Sequence, residues 1–221
     1  MIKEKVSQTK NTEKSKKSTL YFFIKRLFDI VFSTFAIIVL FIPMCIIALV
    51  IKLQDKGPAI YKAQRAGLNG KPFSMLKFRS MKIGADNLEE YLSPELLEQY
   101  KSEYKLDNDP RLTKIGSYIR KTSLDEFPQF FNVFAGQMSL VGPRPIVKEE
   151  LEFYGEQKTK LLSVKPGLTG YWQAYARNDV GYANGERQNM ELYYVDNRSV
   201  LFDLKIIFRT VKCVITKRGA K

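Results

Sequence analysis

A chain of 221 residues suits one domain plus an anchor, since a single core commonly serves roughly 100 to 200 residues. The formal charge of +13 points toward anionic partners, whether nucleic acid, anionic lipid or phosphorylated metabolite, and does not choose among them. Histidine is absent, which excludes a Ser-His-Asp relay, a histidine base and a histidine-ligated metal, and two cysteines, Cys45 and Cys213, give no basis for a disulfide framework or a zinc site.

Both ends are cationic: residues 1 to 26 carry eight Lys or Arg against two Glu, and residues 205 to 221 carry six basic residues and no acid. The Lys-, Ser- and Thr-rich stretch 1–19 reads as a disordered basic tail. From Ile30 to Ile51 no charged residue appears in 22 positions, long enough at about 1.5 Å per residue to cross a bilayer. Two features argue against a plain crossing: Pro43 removes a helical hydrogen bond inside the run, and both flanks are basic, which favours the same cytoplasmic side for each. The residues alone leave two courses open for segment 20–56, a kinked spanning helix and a re-entrant helix-break-helix turned at Pro43.

The remaining residues, 57–221, read as one soluble domain. Segments 59–66 and 71–79 flank Asn69-Gly70, whose tolerance of positive φ predicts a β-hairpin. Alternation places Lys77 and Arg79 on one face of its second strand, an arrangement that by itself reads first as a solvated face. Residues 84–108 hold seven acids and two lysines, an exposed acidic insertion with a helix starting at Pro94. Asp109-Pro110 is expected to open a helix toward Lys121. Ser123 and Glu126 have capping-box spacing for a second helix carrying Phe127, Phe130, Phe131 and Phe134 and ending at Gly136. The stretch Asp203–Lys217 sets Ile206, Ile207 and Val211 against Lys205, Arg209 and Lys212, an amphipathic helix for the headgroup layer or for its own domain.

Chemistry concentrates in RKTSLDEFPQFFNVFAGQMSLVGPRP, Arg120 to Pro145. Asp125 and Glu126 are expected in the first turn of a helix, where unpaired amides keep carboxylates ionised and favour phosphate; taken alone, simple capping explains them as well. Pro143 and Pro145 stiffen the loop that presents Arg144, a geometry suited to bidentate phosphate recognition. In KPGLTGYWQAYAR, from Lys165 to Arg177, Trp172 and Tyr175 offer stacking surfaces, although core packing explains them more simply.

The ordered set KFRSM (Lys77–Met81), DPRLTKIG (Asp109–Gly116), SLDEFPQFFNV (Ser123–Val133), MSLVGPRP (Met138–Pro145), KPGLTGYWQ and YYVDNRS closely resembles the bacterial sugar transferase family, the monotopic polyprenyl-phosphate phosphoglycosyl transferases, over about residues 20 to 217. The resemblance implies an α/β mixed, mainly helical fold: a re-entrant N-terminal membrane helix broken at Pro43, plus a small catalytic domain on the cytoplasmic face of a bacterial plasma membrane. It implies transfer of a sugar 1-phosphate from a UDP-sugar to polyprenyl (undecaprenyl) phosphate, with UMP released, as the initiating step of capsule, exopolysaccharide or related surface glycan synthesis. By the same resemblance Asp125 is the covalent nucleophile, Glu126 assists it with Mg²⁺ held by the pair, and Arg120, Arg144, Arg177, Lys77 and Arg79 serve substrate phosphates. The partners implied are a UDP-sugar, polyprenyl phosphate and membrane lipid, with a homodimer left open. Compared with the family pattern, Ile42-Pro43 replaces Ser-Pro, Gln137 replaces Asp, and Ala176 stands where many members have glycine. Without the extra transmembrane helices of long members, the chain looks like the minimal catalytic form. Two other classes fit the charge superficially, a membrane-tethered nucleic-acid module and a single-span scaffold. No nucleic-acid-binding motif supports the first, and the second needs no clustered arginine and carboxylate motifs.

Overall fold

The computed structural model describes residues 2–104, 106, 108–176 and 180–216, with the backbone alone for 2–18, 103, 214 and 215. The architecture is mainly helical. Helix α1 (Ile2–Asp55) begins within the stretch expected to be a disordered tail and continues through Pro43. A helix-break-helix is therefore not what the secondary structure shows. Proline removes one amide and crowds the carbonyl four residues back, which bends a helix without obliging it to end.

The hairpin forms as expected: β1 (Ile60–Ala66) pairs antiparallel with β2 (Pro72–Phe78), Tyr61 opposite Lys77 and Arg65 opposite Phe73. Its connection is longer than a two-residue turn. Leu68–Gly70 make a 3-10 turn in which Asn69 (φ 56) and Gly70 (φ 77) both take the left-handed backbone that their dipeptide favours. Helices α2 (Leu88–Tyr91) and α3 (Pro94–Glu103) fill the acidic insertion, Ser93 capping α3 and Pro94 taking its first position.

Helix α4 (Lys114–Lys121) starts four residues after the expected Asp109-Pro110 opening, because Thr113 is the cap: its hydroxyl accepts the Gly116 amide at 2.8 Å. Gly116 is required where α4 crosses the end of the hairpin, since a Cβ there would lie 1.7 Å from the Ser80 carbonyl oxygen. Next come α5 (Gln129–Phe134), β3 (Ser139–Val141), α6 (Lys158–Leu161), β4 (Gly167–Thr169), α7 (Tyr171–Tyr175), α8 (Glu186–Asn197) and α9 (Val200–Ile215), with β3 and β4 paired in parallel.

The main core joins Ala63, Phe73 and Met75 of the hairpin to Val133, Met138, Leu140, Tyr194 and Ile206. A second core seats α1 on the domain through Met44 and Ile51 against Phe78 and Ile119. Polar ties reinforce the seat at both ends of the apolar segment. Near its start, Lys25 Nζ donates to Asp203 Oδ2 at 2.7 Å, Arg26 donates to the Val133 and Phe134 carbonyls at 2.8 Å each, and buried Asp29 accepts from Ser139 Oγ and the Leu140 amide. At its end, Asp55 pairs with Arg79. Helix α9 packs Ile206 inward, with Ile207 partly buried, while Leu201, Lys205, Phe208, Val211 and Lys212 stay exposed, so it serves its own domain on one face and remains amphipathic on the other.

Candidate active site

Asp125 and Glu126 lie in a 3-10 turn, Leu124–Glu126, and not in the first turn of a helix. The expected capping box does not form. Ser123 adopts left-handed backbone (φ 56, ψ 18) and its side chain makes no capping bond, and α5 begins only after Pro128. So short a turn has no appreciable macrodipole. Positive charge arrives instead from the hairpin: Lys77 Nζ stands 3.2 Å from Glu126 Oε1 and 3.6 Å from Asp125 Oδ2.

This approach is enforced by Asn132, buried on α5. Its Oδ1 accepts the Leu76 amide at 2.8 Å, and its Nδ2 donates to the Ser74 carbonyl at 2.8 Å and to Gln137 Oε1 at 2.7 Å. One side chain therefore locks the strand just before Lys77 onto the helix just after the carboxylate pair. Asp125 is 5% exposed, whereas Glu126 and Lys77 keep partial access to solvent.

The other predicted residues have contacts of their own. Arg120, near the end of α4, donates through Nε to Ser80 Oγ at 2.9 Å, which keeps it beside the hairpin end. Arg79 is directed to Asp55 rather than to the carboxylate pair and is buried, so it locks the end of α1 to the domain. Arg144 is partly exposed in its loop, and its amide donates to Glu191 Oε2 at 2.9 Å. Arg177 lies outside the described residues.

A buried polar cluster behind the Arg144 loop was not foreseen from the sequence. Arg187 is sandwiched between Trp172 (4.3 Å) and Tyr182 (4.0 Å) and meets Glu150 at 3.5 Å, and Tyr182 donates to Glu150 at 2.6 Å. Glu191, one turn along α8 from Arg187, is 2% exposed; burial above all pushes its carboxyl up to about 7, against the opposing charge of Arg187 and the Arg144 amide bond. An Arg–Glu pair at i, i+4 reads as a solvated surface pair in any helix, so the available signal pointed the wrong way. Asp109 is the contrasting case: it too is buried, but bonds from Arg111 Nε (2.8 Å) and Nη2 (2.6 Å) outweigh that burial and hold its carboxyl below the usual range.

Among the described residues no group of three or more acidic, cysteine or histidine side chains converges as a metal cage. The adjacent carboxylates of Asp125 and Glu126 are nevertheless the hard oxygen donors that Mg²⁺ takes when a diphosphate and water supply its other ligands. The donor set fits a metal that arrives with its substrate.

The bacterial sugar transferase model matches residues 20–217. The undecaprenyl-phosphate galactose phosphotransferase of Salmonella typhimurium is 46% identical over 201 residues, covering 90% of this chain and 42% of its own length. The exopolysaccharide production protein ExoY of Rhizobium meliloti is 42% identical over 200 residues, 89% of this chain and 87% of that protein. The UDP-glucose:undecaprenyl-phosphate glucose-1-phosphate transferase of Escherichia coli is 39% identical over 194 residues, with 85% of this chain and 39% of the relative covered. The chain thus spans about two fifths of the length of the Salmonella and Escherichia relatives. With nearly all of its sequence inside the match, the chain belongs to the bacterial sugar transferase family.

Proposed function

We propose that the chain transfers a sugar 1-phosphate from a UDP-sugar to polyprenyl phosphate and so begins a surface glycan. The observation that carries this reading is the contact of Lys77 with both Asp125 and Glu126, in a family whose relatives include undecaprenyl-phosphate sugar phosphotransferases. An Asp125 carboxylate oxygen attacks the β-phosphorus, the bond from that phosphorus to the bridging oxygen breaks, and the electron pair leaves with UMP. A phosphate oxygen of polyprenyl phosphate then attacks the same phosphorus and displaces the carboxylate, giving polyprenyl-diphosphate sugar and returning Asp125 unchanged. The obstacle in the first step is repulsion between a carboxylate and a diphosphate. In this reading Lys77 offsets it from the strand, and Arg120, Arg144 and Arg177 receive phosphate charge. Mg²⁺ held by Asp125 and Glu126 would supply further charge neutralisation.

Helix α1 contains one segment, Thr19–Asp55, long and apolar enough to cross a membrane. Its two ends nonetheless return to one domain, through Lys25–Asp203 and Asp55–Arg79. A straight crossing would carry those ends to opposite faces, roughly 50 Å apart at 1.5 Å per residue. This supports a re-entrant course bent at Pro43, with the domain on the cytoplasmic face. Exposed Phe131 and Phe134 on α5 and Leu201 and Phe208 on α9 give the domain apolar surface of its own for the lipid. Purified protein in detergent, given Mg²⁺, polyprenyl phosphate and a panel of UDP-sugars, should release UMP with one or a few donors. No release from any donor would remove the proposal.

A further inference from the structure

The end of β1 is joined to the Pro143–Pro145 loop by a backbone bond from the Ala66 amide to the Ile146 carbonyl, 2.9 Å. That bond sets Arg65, which immediately precedes Ala66, beside Arg144. Arg65 stands on the same face of the hairpin as Lys77, because Arg65 pairs with Phe73, Tyr61 pairs with Lys77, and residues two and four apart along a strand share a face. Its backbone position is about 13 Å along the ladder from Tyr61, a separation that two long cationic side chains can bridge. The shared face also holds Ala63, Phe73 and Met75 of the main core, so Arg65 issues from the rim of a packed surface.

Among the described residues neither guanidinium forms a salt bridge, although the charge of Arg144 reaches the buried Glu191 carboxyl. Arg65 Nη1 donates to the Gln64 carbonyl at 2.8 Å, and the polar contact of Arg144 is through its amide to Glu191. Glu150, the acid whose charge also reaches Arg65, is committed elsewhere: it accepts the Val147 amide at 3.1 Å and the Tyr182 hydroxyl at 2.6 Å, and it meets Arg187. Burial first, and the charge of Arg144 second, push the Arg65 guanidinium below the usual arginine value. Two like charges drawn into a partly desolvated space raise the energy of the fold unless an anion shares them.

We infer that Arg65 and Arg144 together form a phosphate subsite, with Arg65 a substrate-binding residue in its own right. Paired guanidiniums present their planar forks to the oxygens of one phosphate, the geometry that most favours arginine over lysine. The inference rests on the transferase reading for the identity of the phosphate, which is that of the donor nucleotide or of the lipid acceptor.

Binding is measured apart from turnover in the full chain carrying Asp125→Asn, solubilised in detergent with Mg²⁺, by titrating UDP and, separately, a short-chain polyprenyl phosphate. Adding Arg65→Met, which keeps the apolar stem and removes the charge, should weaken one of the two by about tenfold to a hundredfold. Weakened UDP binding assigns the subsite to the donor, and weakened lipid phosphate binding assigns it to the acceptor. Arg65→Lys guards against misfolding: it retains the charge, should keep the parent melting temperature, and should give an intermediate loss because it lacks the fork. Parent affinity for both ligands in a folded Arg65 variant would overturn the inference. If the wild-type chain binds UDP but releases no UMP from any UDP-sugar when polyprenyl phosphate is present, the transferase reading fails while the subsite stands.

Discussion

Lys77 Nζ lies 3.6 Å from Asp125 Oδ2, a contact between residues 48 positions apart that the Asn132 side chain enforces by clamping β2 to α5. If this ammonium offsets repulsion between the nucleophile and the diphosphate, Lys77→Met should lower kcat/KM for the UDP-sugar by about a hundredfold to a thousandfold, and Lys77→Arg should restore part of it. Steady-state UMP release checks this. Near-parent activity in Lys77→Met would return the lysine to an ordinary strand face.

The clamp makes its own prediction. Asn132→Ala removes the partner of the Leu76 amide and the Ser74 carbonyl and opens a void beside Val133. It should destabilise the domain by about 2 to 4 kcal/mol. Denaturant unfolding in detergent measures it, and a loss below about 0.5 kcal/mol would show that the strand is held by other contacts.

Membrane course is tested at the start of the apolar segment. With Cys45 and Cys213 replaced by serine, Thr19→Cys should resist a membrane-impermeant maleimide in intact cells and react once the cells are broken. Labelling in intact cells would establish a spanning helix. Pro43→Leu should straighten α1 and expose a fraction of Thr19→Cys to the outside.

The buried carboxyl of Glu191 predicts a pH dependence. Its folded-state value, about 7, exceeds the ordinary carboxylate value, so between the two the folded chain holds a proton that the unfolded chain has lost. Stability from this group is therefore full below about 4.5, falls as pH rises toward 7 and is constant above. Arg187 and Arg144 oppose the shift and Glu150 adds to it. Glu191→Gln should flatten the melting temperature between pH 5 and pH 7 by an amount corresponding to about 1 to 3 kcal/mol. An unchanged slope would show that Glu191 is ionised across that range.

Local signals were legible where local chemistry decides the structure. Asn69-Gly70 announced the hairpin, and Pro94 announced α3, because positive φ and a proline first turn are properties of the residues themselves. The same reasoning failed at Ser123 and Glu126, where capping-box spacing was present but Ser123 turned left-handed and Asp125 went into a 3-10 turn. Tertiary packing of Phe127 against α1 and of Val133 in the main core competes there with a single capping bond worth about 1 kcal/mol. The contact of Lys77 with the carboxylates depends on Asn132 and was not legible in any periodicity. Resemblance gathered these residues into one site, and the structure supplies the reason that Lys77 and Asp125 meet.

The central claim is that Asp125 carries the phosphosugar between donor and lipid. The direct measurement gives the purified chain a UDP-sugar labelled in the β-phosphate, without polyprenyl phosphate, and follows label on protein together with UMP. The account predicts that about one equivalent of UMP forms with label on a peptide containing Asp125, that adding polyprenyl phosphate discharges it, and that Asp125→Asn abolishes both. A parent chain that stays unlabelled yet turns over normally once lipid is added would contradict the covalent route and require direct attack by the lipid phosphate.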